Sequence, residues 1–254
     1  MHNIRLIIAY DGTDFSGFEL QPGRRTVRGE LQKALQKIYK RKISVISSSR
    51  TDAGVHALKN VVNFQTDASI PAAKLALALN ACLPEDICVL KAVAAAKNFN
   101  ARFDARSKEY EYLIFNGAIM PPSVRNYVWH VKPKLDLRSM RKATKNLVGK
   151  HDFSSFCAAG GDDKDFVRII HSFGIRHSAL GIWDNQKVKI IRIKVKGNGF
   201  LYKMVRNMVG TLVDVGLGKI GPSDVKRILL AKDRKLAGRT APPQGLCLIK
   251  VNFK

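Results

Sequence analysis

The sequence predicts a mixed α/β fold of the α+β type, organised as two α/β domains with mainly antiparallel sheets joined side by side. Three observations point to it. Short β-branched runs alternate with stretches whose apolar residues recur at helical spacing. The run over 187–196 sets Ile191, Ile193 and Val195 against Arg192, Lys194 and Lys196, giving a core face and a basic face. Such one-sided strands are typical of antiparallel sheets. The 254 residues suffice for two cores, and the pattern weakens between Ala95 and Lys108. An N-terminal domain over 1–104 and a C-terminal domain over 105–254 follow, with a cleft expected between them.

The first strand covers 4–10 and stops at Asp11-Gly12. A Gly/Pro-containing loop over 17–23 leads to a helix from Thr26, a suitable N-cap, with Val27, Leu31, Leu35 and Ile38 facing the core. Ile43-Ser44-Val45-Ile46 and Val61-Val62-Asn63-Phe64 read as strands flanking a polar loop over 47–58. A helix over 71–81 opens with Pro71 in its first turn, and a strand over 87–93 closes the domain. In the second half, a strand over 107–115 places Tyr110, Tyr112 and Ile114 on one face. A helix over 136–148 turns Met140, Ala143 and Leu147 inward. After a loop over 149–165 come strands over 166–178 and 187–196. Past the Gly197-Asn198-Gly199 turn, Phe200, Met204, Met208 and Leu212 mark a buried helix with Arg206 on its polar side. A short helix from Pro222 and a strand over 246–253 finish the chain.

Charge is the dominant compositional signal. With 44 Lys and Arg against 20 Asp and Glu, the net charge is +24. That excess points to a polyanionic partner, nucleic acid first, with ribosome association or an anionic membrane surface as alternatives. The basic residues recur at Arg24-Arg25, Lys40-Arg41-Lys42 and over 132–145, 187–196 and 226–239, so they belong to folded segments rather than one tail. No apolar run approaches the ~20 residues of a membrane helix, and the N-terminus leads straight into a strand without a signal peptide. A cytoplasmic protein is expected. Cys82, Cys88, Cys157 and Cys247 form no zinc-type spacing and read as reduced thiols, so no metal is expected. Gly197-Asn198-Gly199 lacks the rest of a dinucleotide fingerprint, and Gly216-Leu217-Gly218-Lys219 lacks the rest of a P-loop.

The most informative stretch is Ser49-Arg50-Thr51-Asp52-Ala53-Gly54-Val55-His56. An acid held between two strands beside a guanidinium, on so basic a chain, suggests a catalytic carboxylate facing a polyanion. Asp52 and Gly54 are equally ordinary turn formers. On the residues alone Arg206 reads as a solvated or capping helix arginine, Arg50 as the partner of a neighbouring acid, one of the two strand tyrosines as core, and His56 as structural. The loop Asp152-Phe153-Ser154-Ser155-Phe156 packs near the cleft or merely anchors the core.

The run Arg50-Thr51-Asp52-Ala53-Gly54-Val55-His56-Ala57 resembles the signature of the tRNA pseudouridine synthase A family. Gly29-Glu30-Leu31-Gln32, Asn80-Ala81-Cys82-Leu83-Pro84-Glu85-Asp86-Ile87, Ala101-Arg102-Phe103, Lys108-Glu109-Tyr110-Glu111-Tyr112, His151-Asp152-Phe153-Ser154-Ser155-Phe156 and Met204-Val205-Arg206-Asn207-Met208-Val209-Gly210 extend the likeness in order along the chain. The resemblance implies isomerisation of uridine to pseudouridine in the anticodon arm of tRNA, at positions 38, 39 and 40, by a homodimer needing no cofactor. It implies Asp52 as the catalytic nucleophile, Tyr110 as the ring against the target base, Arg50 as the residue that helps extrude the nucleotide, and Arg206 as the ion partner of Asp52. Two departures stand out: Ser49 where a glycine commonly sits, and Glu19-Leu20-Gln21 in place of a glutamine-rich stretch. A non-catalytic RNA-binding or chaperone protein, or a pseudouridine synthase for another RNA site, are the rival readings.

Overall fold

The structure, a computed structural model, describes residues 1–67, 70–161, 164–181 and 187–253. Two positions of the loop expected over 149–165, 162 and 163, lie outside the described residues. The first half contains β1 (His2–Tyr10), α1 (Val27–Tyr39), β2 (Ile46–Ser47), β3 (His56–Thr66), α2 (Ala72–Asn80) and β4 (Ile87–Ala95). There follow β5 (Ser107–Asn116), β6 (Trp129–Val131), α3 (Leu137–Thr144), β7 (Gly149–Asp152), β8 (Val167–Gly181) and β9 (Lys187–Gly197). The chain closes with α4 (Met204–Gly216), α5 (Asp224–Ala231) and β10 (Leu246–Asn252). The fold is mixed α/β with mainly antiparallel strand pairing, as the one-sided strands predict.

Two compact units emerge. The first comprises Met1–Arg106 together with the C-terminal residues from Cys247, and the second Ser107–Leu246. The division 1–104 and 105–254 therefore needs amending at the C-terminus, because β10 joins the first unit. Its Cys247 and Leu248 pair in parallel with His56 and Ala57 of β3, a partnership that no local pattern announces.

In the first unit, β1 lies antiparallel between β3 and β4, with Leu6 opposite Val62 on one side and Ala92 on the other. Ile4, Leu6, Ile8 and Tyr10 alternate onto the buried face of β1. The Thr26 side chain accepts from Gly29 N at 3.2 Å and starts α1, which buries Val27, Leu31, Ala34 and Leu35. The run 43–46 buries Ile43 and Val45 as expected but is mostly not a strand. Only Ile46 and Ser47 pair with β3, opposite Asn63 and Val62.

In the second unit, β9 lies antiparallel between β5 and β8, and β7 adds antiparallel to β8. Tyr110, Tyr112 and Ile114 share the apolar face with Val195, Ile193 and Ile191, as their register requires. The opposite face of β9 is not a bare basic surface. Lys196 lies 3.8 Å from Glu109, Arg192 is 2.6 Å and Lys194 3.5 Å from Glu111, so acids on β5 offset the expected positive stripe. The helix predicted over 136–148 is shorter: Asp136 caps it through Arg138 N and Ser139 N, and a 3₁₀ turn replaces its end at Lys145–Leu147.

Helix α4 starts later than the apolar stripe suggests, because Phe200–Lys203 form the turn before it. Every residue of α4 except Arg206 is buried. A helix hydrophobic nearly all round belongs inside a core, so Arg206 is an exception built into a buried element and not part of a solvated face.

Candidate active site

Asp52 sits in a turn closed by Val55 N donating to Asp52 O at 3.2 Å, with Gly54 at φ 76°. Glycine takes that left-handed conformation without the strain a Cβ would bring. The turn is fixed on both sides. Before it, Thr51 is buried, its Oγ1 2.8 Å from Tyr10 Oη and its carbonyl accepting from Phe18 N at 3.0 Å. After it, Gly54 N donates to Phe15 O at 3.2 Å. Backbone approaches backbone at Gly12, where a Cβ would come 2.2 Å from Val55 O. Asp52 itself is half-buried, whereas Thr51 and Val55 are buried. The result is a carboxylate residue presented by an immobilised turn.

Supports of this turn went unread in the sequence. Asn60, fully buried on β3, donates to Ser49 O at 3.0 Å and Tyr10 Oη at 3.2 Å, and accepts from Ser48 Oγ at 2.9 Å. A buried side-chain amide in an apolar strand needs such partners, so the polar residue among apolar neighbours was the available signal. Arg25 clamps Asp86 with two bonds of 2.7 and 2.8 Å while lying 4.1 Å over the Phe15 ring. Its bond to Asp86 raises the guanidinium pKa further. His56 is buried at the start of β3, and its Nδ1 lies 3.0 Å from Gly12 N and 3.1 Å from an Asp11 oxygen. It ties β3 to the loop after β1.

Arg50 meets an acid: its Nε lies 3.1 Å from Glu19, whose other oxygen takes Arg28. That acid is one of the residues departing from the family pattern.

Tyr110 and Arg206 belong to the second unit. The Tyr110 ring is 7% exposed and meets Phe200 edge-on at 5.2 Å between centroids. Tyr112 is committed elsewhere: wholly buried, it donates to Pro242 O at 2.7 Å and packs edge-on against Trp129. Burial pushes its phenol far above the usual value, with the nearby Arg206 charge pulling weakly the other way. Arg206 Nε donates to Ala241 O at 2.8 Å, while Ala241 N donates to Arg206 O at 3.1 Å. The segment from Arg234 to Pro242 is thus laced along α4. Thr240 Oγ1 and Arg234 both donate to Asn207 Oδ1, and Gly238 N donates to Thr211 Oγ1.

Phe153 and Phe156 are fully buried, and Asn207 Nδ2 donates to Phe156 O at 2.8 Å, so this loop anchors α4. Among the described residues, no group of three or more His, Cys, Asp and Glu is placed to hold a metal ion. No described helix is long and apolar enough to cross a membrane.

Comparison with known proteins adds an independent line. A family model described as tRNA pseudouridine synthase matches residues 6–104 and 143–254. The tRNA pseudouridine synthase A of Thermoanaerobacter sp. (strain X514) is 44% identical over 253 residues, covering 100% of each chain. That of Bacillus subtilis (strain 168) is 46% identical over 252 residues, covering 98% of each. That of Caldicellulosiruptor bescii is 41% identical over 253 residues, again covering 100% of each.

Proposed function

Because the chain belongs to the tRNA pseudouridine synthase family, whose members convert uridine to pseudouridine, we propose that it modifies the anticodon arm of tRNA with Asp52 as its nucleophile. The reaction breaks the N1–C1′ bond, turns the base, and forms the C5–C1′ bond, while the C5 proton leaves and N1 gains one. Nothing is oxidised or consumed, so a carboxylate and a shaped pocket suffice. The observation carrying this reading is the Asp52 turn, pinned by Tyr10, Phe15 and Phe18 while Asp52 itself stays half-buried.

Arg206 is the ion partner of Asp52. Its placement as the lone half-buried residue of a buried helix supports this role. Tyr110, the ring that the family motif implies for the target base, stacks on it once extruded, and Tyr112 serves packing through its bond to Pro242. Arg50 approaches the displaced nucleotide and helps extrude it from the stem. The net charge of +24 supplies phosphate attraction that positions RNA without reading sequence. The enzyme works as a cytoplasmic homodimer, so that one tRNA spans both subunits.

Total tRNA lacking the modification, incubated with wild type or Asp52→Ala and then mapped for pseudouridine, tests this proposal. Product at positions 38–40 with wild type alone, and tRNA binding retained by the variant, is the expected result. Equal product from both proteins removes Asp52 from the chemistry, and product elsewhere removes the anticodon arm.

A further inference from the structure

Glu19 follows the fully buried Phe18, and two backbone bonds fix its position: Phe18 N to Thr51 O at 3.0 Å and Arg28 N to Phe18 O at 2.9 Å. One carboxylate oxygen takes Arg28, and the other lies 3.1 Å from Arg50 Nε. Arg28 is held from other sides as well, its Nε donating to Gln32 Oε1 at 2.9 Å and its NH2 to Ser44 Oγ at 3.2 Å. A single acid therefore stands between an anchored guanidinium on α1 and the guanidinium two residues before Asp52.

We propose that Glu19 is a positioning residue that stands in for an RNA phosphate, holding Arg50 beside the Asp52 turn until a phosphate of the displaced nucleotide replaces it. The inference rests on the reading of that turn as the receiving end of the nucleotide. The side chains of Arg50 and Glu19 are 48% and 34% exposed, so solvent screens their bridge and exchange is easy. An RNA phosphodiester carries the same single negative charge and offers the guanidinium two oxygens in fork geometry. An RNA whose phosphate reaches Arg50 must displace Glu19, so the acid weakens binding of that RNA, whereas an RNA that does not reach Arg50 feels only the screened charge.

The test is a double-mutant cycle on binding. Wild type, Glu19→Gln, Arg50→Gln and the double variant are titrated with an anticodon-arm RNA and with a stem-loop of equal length lacking loop and target uridines. Glu19→Gln is expected to bind the substrate RNA about two- to fivefold tighter at low salt. The control RNA should gain less, and the salt dependence for the substrate RNA should steepen by up to about one phosphate contact. Glu19→Ala should match Glu19→Gln, which guards against a fold-specific artefact of one replacement. In the Arg50→Gln background the Glu19 effect should fall to less than half. Unchanged or weaker binding by Glu19→Gln, or an effect of equal size without Arg50, overturns the inference. Wild-type product formation is measured on the same samples. Its absence refutes the proposed function, whereas intact product with a silent Glu19 refutes only the phosphate stand-in.

Discussion

Replacing Tyr112 by Phe removes one oxygen from a wholly buried ring. That oxygen donates to Pro242 O at 2.7 Å, and burial keeps the phenol protonated throughout the working pH range. The ring cannot shift to compensate on one side, because Gly245 lies so close that a Cβ there would come within 2.6 Å of its carbons. The Pro242 carbonyl is left without this donor in a partly buried site, at a cost of about 1–2 kcal/mol. For a chain of this size each kcal/mol lowers Tm by about 2–4 °C, so the midpoint should fall by about 2–8 °C. A second effect follows from the chain neighbour. Ala241 O, one residue before Pro242, receives Arg206 Nε at 2.8 Å. Loosening this segment blurs the position of the guanidinium, so single-turnover pseudouridine formation should slow while tRNA affinity holds. Thermal unfolding and rapid-quench assays read the two effects separately. A variant melting within 1 °C of wild type with an unchanged rate would refute the link between Tyr112, Pro242 and Arg206.

Further outcomes follow from the same geometry. Arg206→Lys keeps the charge but loses the Nε donor to Ala241 O, and is expected to lower single-turnover rate about tenfold or more with RNA affinity within about threefold. An equal rate would place Arg206 outside the chemistry. Gly210→Ala puts a Cβ 1.7 Å from Arg239 O, a backbone atom, so the strap along α4 must move. A loss of about 3 kcal/mol is expected in denaturant unfolding. Asp152 has a lowered pKa: burial, the largest influence, opposes ionisation, but bonds from the Ser154 hydroxyl and amide and from Lys232 together outweigh it. A depressed folded value means its stabilisation is present above the unfolded pKa of about 3.9 and disappears as pH falls through the folded value. Asp152→Asn should therefore be less stable than wild type at pH 7 and lose less stability on acidification below pH ~4. Parallel pH–stability curves for the two proteins would contradict this.

What the sequence makes legible is local. Thr26 and the Val27/Leu31/Leu35 spacing place α1, and the Tyr110/Tyr112/Ile114 alternation places β5. Asp52 and Gly54 announce their turn because a short acceptor side chain and an achiral residue favour it. What escapes is set by partners far along the chain. β10 belongs with β3 because of a register 191 positions away, which no window of sequence contains. The basic stripe on β9 looks like an RNA surface until Glu109 and Glu111 are set opposite it by strand pairing. Ile43 and Val45 carry the composition of a strand, yet they bury side chains in a segment that pairs only at Ile46 and Ser47. At the candidate site, Arg50 and Asp52 lie within one motif, whereas Tyr110 and Arg206 required the family resemblance. Glu19, Asn60 and the Ala241–Pro242 pair act through contacts at sequence separations of 31, 11 and 35 or more, and only the fold reveals them.

In the proposed reaction the carboxylate of Asp52 bonds to the displaced uridine. Asp52→Asn preserves the shape of the side chain and removes its charge and nucleophilicity, so single-turnover pseudouridine formation at saturating enzyme isolates that chemistry. A rate at least about a thousandfold below wild type, with anticodon-arm affinity within a few-fold, is the predicted result. A rate within tenfold of wild type would contradict it.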